Sequence, residues 1–361
     1  MEVDKQPEEA SPQHRPPTTS TTLPPLDESE EIRELLAWLE EKGFRNEHNI
    51  TVRLFPNIGR GLVNGPTPIA ANELVFRVPY SCMLTSKHVT THPVLGSFPD
   101  LFTDYEPAIR LTLLLLYESK HLDESPWAPY LRQLLQSSSD TFLANGNVSE
   151  ITRNCSTRFR ASLNGQFNRR KTIFGQCAQF VSKHSLEDKI ELSEERFTWA
   201  YHIICTRCIE LDIEKEGSIE QSTSAALMNC LIPFFDLMNH SAKDRFFKMD
   251  LSPCPELHFM FTKNDPIAAH DQITFNYCQA LSNCEALIHY GFICIQSPLE
   301  VAHIEPISLH DGHAQFAAVP SPMDYCNIYT IIKAFDDLIT ALSAIKIAGQ
   351  VENNLLRRMG I

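Results

Sequence analysis

Two groups of side chains in the second half of the chain have residue types that could do chemistry. The motif Asn239-His240-Ser241 directly follows an apolar run over 233–238 that contains one acid. Tyr277 ends a strand-like alternation over 272–277, 38 residues after Asn239. Buried Asn and His side chains need hydrogen-bond partners, so the motif either ties a loop to the backbone or holds a polar ligand. The residues alone leave both interpretations open.

More aromatic residues follow Tyr277. A helix predicted from Ser282 has a Glu at the capping-box position and carries Tyr290 back toward the end of the strand. Tyr290 and Phe292 flank a glycine there. Taken singly, Tyr277, Tyr290 and Phe292 are better explained as core aromatics.

A third candidate lies near the amino terminus, in Gly59-Arg60-Gly61-Leu62. Glycines let the backbone approach a ligand closely because no Cβ intervenes, although a glycine pair is also an ordinary hairpin feature. The strand, glycine-rich turn and helix of a dinucleotide or phosphate loop are missing here, which excludes those ligands.

Cysteine usage indicates reduced thiols. The chain has 11 cysteines, an odd number, and it opens with an acidic, Pro-rich stretch that does not resemble a secretory signal. Cys205 and Cys208 form a single CxxC without a second pair, so we interpret them as packing residues and predict no metal site. A cytoplasmic or nuclear protein is expected.

The charge of the whole chain limits its partners. A formal net charge of -14 argues against a nucleic-acid binder, which would carry a concentrated basic stripe. An acidic surface suits a basic peptide partner, and it is equally compatible with a solvated surface that has no special partner. Runs of ~18 apolar residues, which a transmembrane helix needs, do not occur.

Hydrophobic periodicity places these candidates in an α+β fold. Residues 1–27 have almost nothing to bury and are predicted to be disordered. Strands are predicted within 50–86 and at 257–262 and 272–277, on either side of a long helical stretch. The predicted helices cover 29–42, 110–121, 131–136, 167–183, 194–213, 282–289 and, as one or two terminal helices, 325–359.

Together, and in this order, the motifs resemble those of the SET-domain methyltransferases. Gly-Arg-Gly-Leu, Asp-Leu-Met-Asn-His-Ser, Phe-Asn-Tyr and Tyr-Gly-Phe follow one another at the family's spacings. The likeness is to the branch that includes the Rubisco large-subunit lysine methyltransferase and several vertebrate SET-domain-containing proteins. It runs from about residue 30 to about residue 300 and is weakest across the helical insertion.

The resemblance implies an enzyme that transfers a methyl group from S-adenosylmethionine to a protein lysine. In the family, the backbone of the glycine turn contacts the methionine part of the cofactor. An arginine on the helix before the Asn-His motif faces the carboxylate of the cofactor. The Asn-His pair also binds the cofactor, near a knot-like crossing, and a tyrosine is catalytic. Further aromatic residues line the lysine channel and pack on the cofactor. Carried over by motif, these roles fall on Arg60, Gly61, Leu62, Arg207, Asn239, His240, Tyr277 as the catalytic residue, Tyr290 in the channel and Phe292 on the cofactor.

The implied fold is a SET domain of short β-sheets over residues 28–298, with knot-like C-terminal threading and a helical insertion at about 105–225. Residues 299–361 are expected to form a shortened helical substrate-binding region. The implied partner is a histone tail or cytosolic protein that presents a lysine, and a monomer is expected. Two alternatives remain: a catalytically weak or inactive SET-like module that binds proteins, and a histidine-directed methyltransferase. The family's zinc-binding cysteine cluster is missing, which is typical of this branch.

Overall fold

The computed structural model describes residues 23–56, 58–136, 157–212, 227–242, 244, 247–252, 258–277, 283–292, 304–310 and 313–318. Most of the predicted disordered tail and the terminal helices at 325–359 lie outside these residues. The tail prediction is wrong at its end, because Leu26 bridges to Arg53 and the Asp27 amide donates to the Val52 carbonyl at 3.0 Å. This segment runs beside a strand and is part of the fold.

Helix α1 (Glu30–Glu41) begins and ends close to its predicted bounds. Ile32, Leu35 and Leu39 recur at helical spacing and are buried, and Glu30 and Glu31 lie at the amino end, where the helix dipole favours negative charge. Gly43, with a φ of 102°, ends the helix.

In the described part of the chain, short strands form three sheets of three or four strands and one two-stranded hairpin. The first is four-stranded, in the order β1 (Thr51–Phe55), β2 (Gly59–Val63), β10 (Gln272–Phe275), β7 (Asn239–His240). The second has the order β3 (Leu74–Pro79), β9 (His258–Lys263), β8 (Phe247–Ser252), and the third the order β4 (Leu84–Thr85), β6 (Leu227–Leu231), β5 (Ile209–Asp212).

The helical insertion lies between β4 and β5 in the chain. Its helices are α2 (His88–Thr91), α3 (Asp100–Thr103), α4 (Pro107–Lys120), α5 (Ala128–Leu135), α6 (Thr157–Lys183) and α7 (Glu194–Arg207). After the last strand of the four-stranded sheet comes α8 (Asn283–Tyr290). Short strands with a long helical insertion confirm the predicted α+β class.

Two element predictions are wrong. The helix predicted over 194–213 stops at Arg207, because Cys208 is extended and β5 pairs with β6 through four residues. The segment after residue 299 is not helical where it is described, since β11 (Ile304–His310) and β12 (His313–Ala318) form an antiparallel hairpin. Pro306 disfavours a helix there, and the Asp-Gly dipeptide between the two strands is a hairpin signal in the sequence.

Strands β7 and β10 of the four-stranded sheet pair in parallel. In the sheet, β7 lies beside β10, with Thr274 opposite Asn239 and Phe275 opposite His240. On its other side β10 is antiparallel to β2, with Ile273 opposite Leu62. The three motifs singled out in the sequence therefore meet on adjacent strands.

Among the described residues no helix is long and apolar enough to cross a membrane. The same residues contain no group of three or more His, Cys, Asp or Glu side chains that could hold a metal ion.

The core between the four-stranded sheet and the β3-β9-β8 sheet is built around Phe235, which is 1% exposed. Its ring centroid lies 4.7 Å from that of Phe275 and 5.0 Å from that of Phe259, so it joins the four-stranded sheet to the β3-β9-β8 sheet. Phe261 completes the cluster at 5.5 Å. This packing fixes the position of the residues that immediately follow Phe235.

We expect Phe235→Ala to lower the free energy of unfolding by about 3–5 kcal/mol, because it leaves a cavity between two sheets. Denaturant unfolding measures the change. Ile58→Ala is the control, since Ile58 is 62% exposed and its loss should cost little. Equal effects from the two substitutions would contradict this assignment of the core.

Candidate functional site

The candidate site lies where β2, β7 and β10 adjoin. The Asn239 side-chain amide donates to the Arg60 carbonyl at 3.1 Å, which ties the Asn-His motif directly to the glycine turn. Leu62 is fully buried beneath them. A motif near residue 60 and another near residue 240 are therefore one structural unit.

Gly61 is required by the close approach of its neighbours. A Cβ at this position would lie 2.6 Å from Asn239 Nδ2, 2.7 Å from Phe55 Cε2 and 2.8 Å from Gln272 Nε2. Contacts this short would force those side chains to move. The glycine thus keeps Asn239 against the strand and leaves the backbone of the turn accessible to a ligand.

The side chain and the backbone of Arg60 make different contacts. Its Nε donates to Asp27 Oδ2 at 2.6 Å, and its Nη2 donates to Ser29 Oγ at 3.3 Å. These bonds anchor the segment before α1 to the glycine turn. Any contact of Arg60 with a cofactor at this site would therefore come from its backbone, as the resemblance implies.

His240 is held in one tautomer. Its Nδ1 accepts the Tyr277 backbone N–H at 3.2 Å, so a neutral ring carries its proton on Nε2. Burial lowers the pKa of His240 below its ordinary value, although the negative charge of Asp244 acts in the opposite direction. The ring also meets that of Tyr277 edge to face, at 5.2 Å between centroids.

The Tyr277 hydroxyl is oriented by the backbone. It donates to the Met238 carbonyl at 2.8 Å, so its proton points away and the lone pairs of the oxygen are left to accept. Burial raises the pKa of Tyr277 well above the usual range, and the positive charge of Arg207 only partly opposes this. The side chain is therefore a neutral phenol that can accept a hydrogen bond, and it is a poor general base.

Tyr290 and Phe292 complete an aromatic group around Tyr277. Tyr290 is the last residue of α8, and Gly291, with a φ of 77°, turns the chain so that Phe292 faces back. Ring centroids lie 5.1 Å apart for Tyr277 and Tyr290, and 6.2 Å apart for Tyr277 and Phe292. Phe292 also lies 5.5 Å from the His240 ring. These rings form an apolar wall beside the hydroxyl.

Arg207, at the end of α7, belongs to the same site. Its Nη1 donates to the Asp236 carbonyl at 2.8 Å and lies 3.3 Å from Asp236 Oδ2. The Tyr130 hydroxyl donates to the same carboxylate oxygen at 2.9 Å. Burial raises the pKa of Asp236, while Arg207 and Tyr130 act to lower it. The arginine is thus placed by a buried carboxylate.

Two members of this cluster were not predicted as site residues. Asp236 could have been recognised, because it is the first residue of the Asp-x-x-Asn-His pattern. Tyr130 carries no such signal, since it belongs to α5 and nothing in its local sequence points to residues 106 positions later.

The site contains buried polar groups that could bind a polar ligand. The second oxygen of Asp236, Oδ1, is buried without a hydrogen-bond partner, and such an atom is costly unless something binds it. It lies in the side chain that positions Arg207, a short distance along the chain from Asn239 and His240. Together with the Arg207 guanidinium, these polar groups fit a ligand that carries both a carboxylate and a cation.

The CxxC thiols lie beside the site without forming a metal centre. Burial raises the pKa of Cys205 to about 11 and that of Cys208 to about 12, so both are protonated thiols at neutral pH. Protonated thiols bind metal weakly and react slowly. Their interpretation as packing residues stays a prediction.

The pH dependence of the site follows from His240. Because its folded-state pKa lies below the ordinary value of about 6.5, its contribution to stability is complete above that pH and is lost as pH falls through the folded-state pKa. A protonated Nδ1 also cannot accept a hydrogen bond from the Tyr277 amide.

We expect the difference in unfolding free energy between the wild type and His240→Gln to shrink between about pH 7.5 and pH 5. Denaturant unfolding across that range measures it, and a difference that stays constant or grows toward acid would contradict the assignment.

Comparison with known proteins places this geometry in context. The chain is 24% identical over 277 residues to the chloroplastic [fructose-bisphosphate aldolase]-lysine N-methyltransferase of Arabidopsis thaliana, covering 73% of this chain and 52% of that protein. It is 24% identical over 276 residues to SET domain-containing protein 4 of Artemia parthenogenetica, covering 76% of this chain and 66% of that one. The chain thus spans between half and two thirds of the length of these relatives. No protein-family model matches it.

Solved structures give the same result for the fold. The structure of Rubisco LSMT bound to AdoMet superposes with a TM-score of 0.59 at 19% identity, over 78% of this chain and 61% of that one. The SET domain of LSMT bound to methyllysine and AdoHcy superposes with a TM-score of 0.60 at 18% identity, with the same coverage. The predicted resemblance is confirmed: the chain has the SET-domain fold of Rubisco LSMT. Over about three quarters of its length, its sequence is similar to a lysine N-methyltransferase and to a SET domain-containing protein.

Proposed function

We propose that this chain is an S-adenosylmethionine-dependent protein-lysine N-methyltransferase. The observation that carries the proposal is the hydrogen bond from the Tyr277 amide to His240 Nδ1 across β7 and β10, at 3.2 Å. It joins the residues assigned to the cofactor with the residue assigned to catalysis. Asn239, bonded to the glycine turn, extends the unit to Arg60 and Gly61.

The residues fit the cofactor on the basis of this chain's own contacts. The backbone of Arg60, Gly61 and Leu62, and the Asn239 and His240 pair, would hold its methionine part. Arg207 would face its carboxylate, and Phe292 would pack on it. When bound, S-adenosylmethionine supplies a methyl group on a positively charged sulfur.

The remaining chemistry belongs to the protein. Direct displacement at a methyl group requires the attacking nitrogen to be in line with the carbon–sulfur bond, so alignment is the main contribution. The Tyr277 oxygen, whose proton is committed to the Met238 carbonyl, can accept a hydrogen bond from the amine and hold it in line. Tyr290 beside it excludes water from the approach.

Deprotonation of the lysine is explained by the surroundings. A free lysine has a pKa of ~10.4, and the attacking amine must be neutral. A channel walled by aromatic rings disfavours the ammonium form through desolvation, and a positive charge nearby does so as well. Tyr277 does not take the proton, because its own pKa is raised. The proton therefore leaves to solvent before the amine reaches the reacting position.

The substrate is proposed at the level of chemical class. The net charge of -14 supports a basic protein segment, as in a histone tail or a basic patch of a non-histone protein. One relative is named for methylating fructose-bisphosphate aldolase, an example of a non-histone substrate within this fold. We propose that the chain acts as a monomer and does not bind nucleic acid directly.

A cytoplasmic or nuclear location is also part of the proposal. It is supported by the free cysteines of the described residues, which are Cys82, Cys177, Cys205, Cys208 and Cys230. Reduced thiols are usual in those compartments. The Arabidopsis relative is named as chloroplastic, which differs from the location proposed for this chain.

We expect Tyr277→Phe to keep cofactor affinity and to lower methyl transfer about a hundredfold, because a misaligned amine loses the benefit of positioning. The measurement is transfer of labelled methyl from S-adenosylmethionine to proteins of a cell extract, followed by mass spectrometry of the modified residue. Modified lysine supports the proposal, and modified histidine would favour the histidine-directed alternative.

Tyr80→Phe is the matched control. The Tyr80 hydroxyl is also hydrogen-bonded, at 3.3 Å to Thr85 Oγ1, but the Thr85 strand belongs to the third sheet. This variant should keep wild-type transfer. Cofactor binding without any transfer by the wild type would indicate the inactive protein-binding module, and full transfer by Tyr277→Phe would remove Tyr277 from its role.

A further inference from the structure

A buried ion pair connects the turn after the Asn-His motif to the end of β9. Lys263 Nζ is 2.8 Å from Asp244 Oδ1, and it also donates to the Thr274 carbonyl at 3.1 Å. The Thr274 hydroxyl donates to the other oxygen of Asp244. The lysine and aspartate side chains are 8% and 14% exposed, so both charges are largely removed from water.

The three residues come from three different places in the fold. Lys263 is the last residue of β9, in the three-stranded β3-β9-β8 sheet. Thr274 belongs to β10 of the four-stranded sheet, and Asp244 lies in the turn that follows β7. The cluster of Lys263, Asp244 and Thr274 therefore links the β3-β9-β8 sheet to the four-stranded sheet at the point where β7 ends.

Hydrogen bonds connect this cluster to the candidate site. Thr274 lies opposite Asn239 in the parallel ladder, and the next pair is Phe275 and His240. The Ser241 amide donates to the Phe275 carbonyl at 3.0 Å, and the Asp244 amide donates to the Ser241 carbonyl at 3.2 Å. A movement of Asp244 is therefore passed along a continuous chain of hydrogen bonds to His240.

The pairing of β7 with β10 needs such support. Strand β7 has only two residues, and parallel pairing is slightly less stable per residue than antiparallel pairing. A ladder this short does not fix its own register. A buried charge pair does, because moving either charge away leaves the other without compensation in a nonpolar environment.

We propose that Lys263 and Asp244 are positioning residues for the methyl-transfer site: their ion pair holds Asn239 and His240 in register with Tyr277. The inference rests on the proposed function for its catalytic meaning. Neither residue lies among the groups assigned to the cofactor or the amine. Apart from the negative charge that Asp244 places near the His240 ring, their effect on the site passes through the β7–β10 pairing.

The test compares Lys263→Met and Asp244→Asn with a matched control, Glu118→Gln. Lys263→Met removes the charge while keeping a long side chain, and Asp244→Asn keeps the size and one acceptor oxygen. Glu118 forms a buried polar contact of its own: it accepts a hydrogen bond from His92 Nε2 at 3.0 Å, between the insertion helix α4 and the turn after α2, and both side chains are 6% exposed. It controls for the general effect of breaking a buried pair.

Three quantities are measured on each full-length protein. Hydrogen–deuterium exchange reports the amides of Ser241 and Tyr277, which are donors in the β7–β10 unit. Calorimetry gives the dissociation constant for S-adenosylmethionine, and thermal unfolding gives the overall stability. We expect faster exchange at both amides and about tenfold weaker cofactor binding in the two site variants. Glu118→Gln should lower the melting temperature and leave exchange at these amides and the dissociation constant unchanged.

The outcomes distinguish failure of the positioning role from failure of the proposed function. If both site variants lose stability as the control does, while amide exchange and cofactor affinity stay at wild-type values, the ion pair is only structural and the inference is wrong. Should Lys263→Met fail to fold, the milder Asp244→Asn decides the question. If the wild type itself does not bind cofactor, the proposed function fails, and the exchange measurement still decides whether the pair holds the register.

Discussion

The site depends on one short parallel contact, between β7 and β10. Two residues of each strand pair there, and the contact brings Asn239 and His240 beside the strand that ends in Tyr277. Two further hydrogen bonds use the same contact: the Tyr277 amide donates to the His240 ring, and the Tyr277 hydroxyl donates to the Met238 carbonyl. A small change in register would break both and would turn the tyrosine oxygen away from the aromatic wall. The rest of the fold can be understood as the means of keeping this contact in place.

Buried polar groups on both sides of the contact carry out that task. On one side Arg207, Asp236 and Tyr130 link the insertion helices to the residues before Asn239. On the other side Lys263 and Asp244 link the second sheet to the turn after His240. Charges removed from water contribute little net stability, but they tolerate displacement poorly. Such groups are therefore well suited to fixing geometry in a site whose chemistry is alignment.

The sequence predicted the parts of this arrangement that are local or that recur as motifs. Helix α1 follows from its periodicity, and the glycine turn, the Asn-His pair and Tyr277 follow from residue types in a recognisable order. Long-range pairing was not predictable in the same way. Residues 209–212 continue a helical pattern, yet they form a strand because β6 offers backbone partners there. Lys263 looks like an ordinary charged residue at a strand end, and only the fold brings it to Asp244.

The central claim is that the cofactor binds where the glycine turn meets Asn239. Gly61→Ala tests it most directly, because a Cβ there would lie 2.6 Å from Asn239 Nδ2, while the backbone angle, unlike that of Gly59, is one that alanine adopts readily. Gly165→Ala, on α6, is the control, since a Cβ there meets nothing within 4 Å. In a calorimetric titration with S-adenosylhomocysteine, we expect the wild type and Gly165→Ala to bind with equal affinity and Gly61→Ala to bind at least tenfold more weakly, on the order of the coupling between contacting residues. Absence of binding by the wild type, or equal affinity in Gly61→Ala, would contradict the account.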